Sequence, residues 1–229
     1  MKVKSLVCLV AILLLVTACG NGGSSNSLAG IYDDAKKISD IYRNEIQELD
    51  EFYGKGCTPV VGNMGHKEIP KSDGSKFVYQ NAYDICVASL KNLKDSVNDF
   101  NKKMDKSSNK DLKDAWLEVK PKYDTAITQL EEIFKIYYSM TYEDKNLSKF
   151  DSASLKEMKE YKHLGYTCVA CGISEKMNLD WYKNEYGRPT SLVSAVKTYI
   201  GFDSFLNKVE NACIEDETVT CSFELEDED

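Results

Sequence analysis

The sequence predicts an all-α protein, an antiparallel helical bundle of long amphipathic helices carrying one long loop and stapled by disulfides. Three observations predict it. Apolar residues recur every three or four positions along three long stretches, which puts them on one stripe of a helix. Two-fold alternation over a strand length is nearly missing, with only SKFVYQ (75–80) and TVTCSFEL (218–225) hinting at it. The body of the chain also holds an even set of six cysteines, enough for three bridges.

The first segment, MKVKSLVCLVAILLLVTACGNGG, places Lys2 and Lys4 before an apolar run from Leu6 to Val16 and then small residues. The run falls short of the roughly 20 apolar residues needed to span a bilayer, so residues 1–18 read as a secretory signal. Val16, Thr17, Ala18 and Cys19 resemble the lipobox of bacterial lipoprotein precursors. That resemblance implies diacylglyceryl modification of the Cys19 thiol and cleavage just before it. By the enteric sorting rule, Gly20 in place of an aspartate implies an outer-membrane location facing the periplasm or the cell surface. Two or three acyl chains, at about 0.8 kcal/mol per buried methylene, hold a protein where one chain would not. The stretch GNGGSSNS, residues 20–27, completes a lipidated flexible tether of the Gly/Ser kind over 19–27.

The helical domain is expected over residues 28–213. Its first stripe runs Leu28, Tyr32, Ala35, Ile38, Tyr42, Ile46, Leu49 and Tyr53. The glycine-rich loop GKGCTPVVGNMGHKEIPKSDGSK, residues 54–76, follows with two of the four prolines. A loop of that length in a compact domain is usually functional or pinned by a crosslink. The second stripe runs Val78, Ala82, Ile85, Cys86, Leu90, Leu93, Val97, Phe100 and Met104. The third runs from Leu112 through Trp116, Val119, Tyr123, Ile127, Leu130, Phe134 and Tyr137 to Thr141, with a capping box at Ser108 to Asp111. Pro121 lies inside it and is expected to kink or split the helix, because it removes a backbone donor and crowds the preceding turn. A capping box at Ser154 to Glu157 opens a shorter helix that Gly165 can close. A brief helix then ends at Tyr186–Pro189, where Gly187 suits the left-handed cap position. The last helix carries Leu192, Val196, Tyr199, Leu206, Val209 and Cys213. Long amphipathic helices joined by short polar links pack antiparallel around their stripes.

Residues 214–229 form an acidic C-terminal tail. The chain carries a net charge of -8, and its last sixteen residues hold eight acidic groups and no basic one. Nucleic acid and anionic lipid headgroups are thus poor partners, since both demand clustered basic charge. The tail is either a solvated terminus or a dock for a basic partner, and Cys221 offers a way to tie part of it to the domain.

Cys57, Cys86, Cys168, Cys171, Cys213 and Cys221 are the disulfide candidates. Cys57 is expected to pair with Cys86, and Cys168 and Cys171 with Cys213 and Cys221 in either order, pinning the loop and the tail to the bundle. The CVAC motif at 168–171 also admits other chemistry. Haem attachment requires a histidine where Gly172 stands, and zinc requires four reduced thiolates in a compact arrangement. A thiol-disulfide oxidoreductase would use Cys168 and Cys171, with the reactive thiolate lowered in pKa at a helix start.

Met64 and His66 place a thioether and an imidazole two apart in the long loop, a pairing suited to copper, and against it stands the plainer reading of ordinary loop residues. His163 has no evident third ligand. No nucleophile elbow, zincin histidine pair or phosphate loop is present in the sequence, and no cofactor is implied. Fourteen tyrosines are many for this length, and about half fall on core stripes. The expectation is a membrane-anchored envelope protein acting by protein binding, with no catalytic residue. Its partner would be an envelope protein or, in an immunity or exclusion role, an incoming toxin.

Overall fold

The computed structural model describes residues 27–47, 57, 66–71, 73–142, 150–160, 168–179, 181–182 and 192–221. The expected signal segment, the lipobox-like residues with Cys19, Met64, His163, Gly165, Gly187 and residues 222–229 lie outside these. The described residues form a helical bundle with a single two-stranded sheet.

Helix α1 (Leu28–Asp40) starts at Leu28 because the Ser27 hydroxyl accepts the Gly30 N–H at 3.2 Å and caps the first turn. It buries Ile31, Tyr32, Ala35 and Ile38 on one face. The chain then continues as a π-helical segment, Ile41–Gln47, whose wider turn still buries Ile41, Tyr42 and Ile46. A hairpin of β1 (Glu68–Pro70) and β2 (Lys76–Val78) occupies the end of the expected long loop, with Ile69 opposite Phe77. Its turn uses Gly74 at φ +80° and the Asp73 carboxylate, which accepts the Ser75 N–H at 2.8 Å. The alternation in SKFVYQ is thus a strand over Lys76–Val78, whereas Thr218 to Cys221 form none.

Helices α2 (Tyr79–Lys106) and α3 (Lys110–Tyr142) are the long pair, and their stripes meet. Pro121 neither ends nor splits α3. Pro121 is exposed, as is Leu117 one turn before it, so the carbonyl left without its bond faces water instead of the core. The cap of α3 is Asn109, whose side chain accepts the Leu112 N–H at 3.0 Å, in place of Ser108.

Helix α4 (Ser152–Glu160) is capped by Asp151, which accepts the Ser154 N–H at 2.7 Å, so it opens earlier than the box at Ser154 suggested. That bond holds the Asp151 carboxyl below its ordinary value. Helix α5 (Val169–Met177) closes at Asn178, which takes the left-handed conformation at φ 52°; Trp181 and Tyr182 are helical again, and the helix end expected at Tyr186–Pro189 lies outside the described residues. The last stripe is divided in two by Gly201 at φ +67°, giving α6 (Leu192–Ile200) and α7 (Phe202–Glu215). Positive φ is the conformation glycine adopts without a Cβ penalty, and it bends the chain while both stripes stay inward.

α1 packs on α2 and α7, α3 on α2, α6 and α7, and α4 on α5. At the centre Phe100 meets Trp116 edge-on at 4.7 Å, and Phe205 closes the cluster at 5.3 Å from Trp116. The Trp116 indole N–H is satisfied by the Asn101 side chain at 2.9 Å, so this ring is buried without an orphaned donor. Tyr32, Tyr42, Tyr79, Tyr123, Tyr137 and Tyr182 are buried, so among the described residues most tyrosines lie in the core. Among the described residues no helix is long and apolar enough to cross a membrane.

Candidate functional site

The six cysteines form three bridges: Cys57–Cys86, Cys168–Cys171 and Cys213–Cys221. The first is the expected pair. The others correct the expectation that Cys168 and Cys171 would reach Cys213 and Cys221, because each of those pairs closes on itself. The reason is local geometry. Cys168 sits just before α5 and Cys171 in its first turn, which brings their Cα atoms to 5.3 Å. Cys213 sits in the last turn of α7, and the chain reverses through Asp216, whose side chain accepts the Thr218 N–H at 3.0 Å, to bring Cys221 back.

The three bridges differ in what they constrain. Cys57–Cys86 spans 29 positions and fixes the segment after the π-helical turn to α2, where the Cys57 N–H also donates to the Ile46 carbonyl at 2.8 Å. In the chain-entropy picture a loop of that size contributes on the order of 3.5 kcal/mol, against about 2 kcal/mol for a CxxC loop. Cys213–Cys221 binds the start of the tail to α7 across 8 positions.

The CVAC motif has one feature expected of exchange chemistry and one that opposes it. The Cys168 Sγ caps α5, accepting the Cys171 N–H at 3.1 Å, and a helix start stabilises a thiolate. Yet Cys168 is 4 % exposed and Cys171 8 % exposed. The Cys168 N–H is tied to the Met158 carbonyl at 2.9 Å, the Tyr182 hydroxyl lies 3.9 Å from the Cys171 Sγ, and a Cβ on Gly172 would run into the Met158 side chain. Exchange requires an incoming thiolate to reach a sulfur, so the oxidised form is shielded.

Of the copper pair, His66 is exposed just before β1, and Met64 lies outside the described residues. Among the described residues no group of three or more histidine, cysteine, aspartate or glutamate side chains is placed to hold a metal.

A small recess that no stripe of the sequence announces forms where the π-helical turn meets α3 and the α6–α7 bend. Tyr42, Arg43, Tyr123, Lys197 and Asp203 line it. Tyr42 donates to the Val193 carbonyl at 2.6 Å, and Lys197 pairs with Asp203 at 3.2 Å. Burial pushes both the Tyr42 and the Tyr123 hydroxyls far above their ordinary value. Helical periodicity assigns Tyr42 and Tyr123 to the core and stops there; the recess depends on the bend at Gly201, which the sequence stripes run straight through.

Comparison with protein families, with characterised proteins and with solved structures finds no match to this chain.

Proposed function

We infer that this protein is lipid-anchored in the cell envelope and acts by binding another envelope protein, with no catalytic role. The observation that supports the reading is the division of the cysteines. Six of the eight are matched among themselves in three bridges, as suits an oxidising compartment, which leaves Cys8, inside the expected signal segment, and Cys19 of the lipobox-like Val16-Thr17-Ala18-Cys19, the one placed for acylation. The Gly/Ser-rich composition of residues 20–26 suits a tether between Cys19 and the cap of α1 at Ser27. Growth with an alkyne-tagged fatty acid tests the anchor: label is expected on the wild-type chain and lost in Cys19→Ala. An unlabelled wild-type chain contradicts it. Crosslinking in intact cells tests the binding role, with a defined envelope partner expected. Protection of a toxin-sensitive strain on expression would instead assign the immunity or exclusion role.

The position of Cys168 at the start of α5 favours a second reading, thiol-disulfide exchange through Cys168 and Cys171. It requires that mild dithiol reduce this bridge before the other two. Resistance of all three to the same reductant would remove it.

A further inference from the structure

An open groove runs between α3 and α7, where Ala115 on one helix and Ser204 on the other are too small to fill the space between their neighbours. Its floor is apolar, with Val119 and Ile200 buried and Phe205 1 % exposed. Its rim is charged, with Glu118, Lys122 and Lys208 exposed. The groove offers about 190 Å³, where a single water needs about 10–15 Å³, so it admits side chains. Lys91, Lys94, Lys102 and Lys103 of α2 each pair with a carboxylate, whereas Lys122 and Lys208 pair with none among the described residues. The rim therefore keeps an excess of positive charge above an apolar floor.

The chain beyond Cys221, SFELEDED, lies outside the described residues and carries the complementary chemistry. Phe223 and Leu225 alternate with Glu224 and Glu226, so an extended backbone puts the apolar pair on one face and the two carboxylates on the other. Asp227, Glu228 and Asp229 follow. The origin of this segment is fixed, because the Cys213–Cys221 bridge holds it to the last turn of α7 with the two Cα atoms 6.1 Å apart. Along the axis of α7, Lys208 lies about 7.5 Å and Ser204 about 13.5 Å back from Cys213. Eight extended residues reach up to about 27 Å, so the segment is long enough to span the groove. The packing of Trp116 on Phe205 and of Tyr123 on Phe202 sets α3 antiparallel to α7, so a chain entering beside Lys208 passes Ala115 first and meets Lys122 last.

We propose that the groove between α3 and α7 is the dock of this chain's own acidic tail, with Phe223 and Leu225 on the Val119 and Phe205 floor and the carboxylates paired with Lys208 and Lys122. Tethering gives the tail an effective concentration on the order of millimolar, so contacts too weak to hold a free peptide hold it. The docked tail closes the groove to other acidic segments. The dock rests on the Cys213–Cys221 bridge and requires neither the lipid anchor nor the partner binding inferred above.

The test compares the backbone amide resonances of Ser204 and Phe205 by NMR in the full-length protein in detergent and in a variant ending at Cys221. The two proteins are expected to differ at these resonances. The free peptide SFELEDED, at about millimolar concentration, is expected to return the shortened variant saturably to the full-length positions and to leave the full-length protein unmoved. Phe223→Ser in the peptide is expected to weaken binding by about tenfold or more through lost apolar burial. Lys122→Gln and Lys208→Gln in the protein are each expected to weaken it by about two- to fivefold, as exposed ion pairs do, and their exposure keeps the fold intact. Identical resonances in the two proteins, or equal binding of a scrambled peptide of the same composition, overturn the proposal. Shifts that instead follow the concentration of the full-length protein overturn it too, and assign the groove to a second copy of the chain.

Discussion

The body formed by α1, α2, α3 and α7 and the smaller pair α4–α5 solve the same problem of burying an apolar stripe in opposite ways. In the body each helix buries its stripe against partners distant in sequence, as when Phe100 of α2, Trp116 of α3 and Phe205 of α7 share one cluster. In the pair, α4 and α5 bury theirs chiefly on each other, with Met158 lying against Gly172. The pair is linked to the body through the segment after it, where the Trp181 indole donates to the Gln129 side chain at 2.6 Å and its ring lies 6.2 Å from Tyr199. The bridges follow the same division: Cys57–Cys86 joins parts far apart in sequence, and Cys168–Cys171 constrains one turn. Stability of the body is therefore cooperative, whereas the pair can open locally without unfolding the rest.

Alkali gives the largest expected contrast. Burial raises the Tyr42, Tyr123 and Tyr137 hydroxyls above the ordinary value of 10.0, and none of these residues lies in α4 or α5. A phenol whose folded value is raised binds its proton more tightly folded than unfolded. Its stabilisation is thus complete below pH 10 and is lost as pH rises toward the folded values. Tyrosinate absorbance and helical ellipticity are expected to change together above pH 10; ionisation of all the tyrosines ahead of unfolding would contradict this.

Truncation in the two regions comes next. Trp116→Ala is expected to cost about 3–5 kcal/mol and to lower the melting temperature of the whole protein. Met158→Ala, at a site equally buried, is expected to cost roughly 2–5 kcal/mol, read as lost hydrogen-exchange protection confined to α4 and α5. Equal loss of protection everywhere would erase the distinction. Replacing both Cys57 and Cys86 with serine is expected to destabilise by about 2–4 kcal/mol, more than the same change at Cys168 and Cys171, as denaturant midpoints would report. The smallest effect is expected at Gly172→Ala, whose added methyl must displace Met158 at about 1–3 kcal/mol, again with exchange protection lost only in the pair.

The sequence made the body legible because its order is periodic. The stripes from Val78 to Met104 and from Leu112 to Thr141 are the buried faces of α2 and α3 with few exceptions, Val78 and Ile85 being exposed. What it hid was set by single residues acting through space. Gly201 turns one continuous stripe into two helices, and it was readable only as a glycine inside an apolar pattern. Pro121 was readable as a breaker, but its harmlessness depends on the side of α3 it faces. Helix α5, closed by a left-handed Asn178, ends where no glycine announces it. For the bridges, spacing alone could not decide between a cysteine three positions away and one on another helix; the turn that opens α5 decides it. The recess at Tyr123 was hidden for the same reason, since its residues come from segments that only the bend brings together.

The measurement that bears most directly on the division of the cysteines is peptide mapping of the full-length protein, isolated from cells with free thiols alkylated and no reductant present. Three linkages, Cys57 to Cys86, Cys168 to Cys171 and Cys213 to Cys221, with an acylated Cys19 in none of them, are the expected result. A bridge from Cys168 or Cys171 to Cys213 or Cys221, or any bridge that includes Cys19, would contradict both the local pairing and the anchor that rests on it.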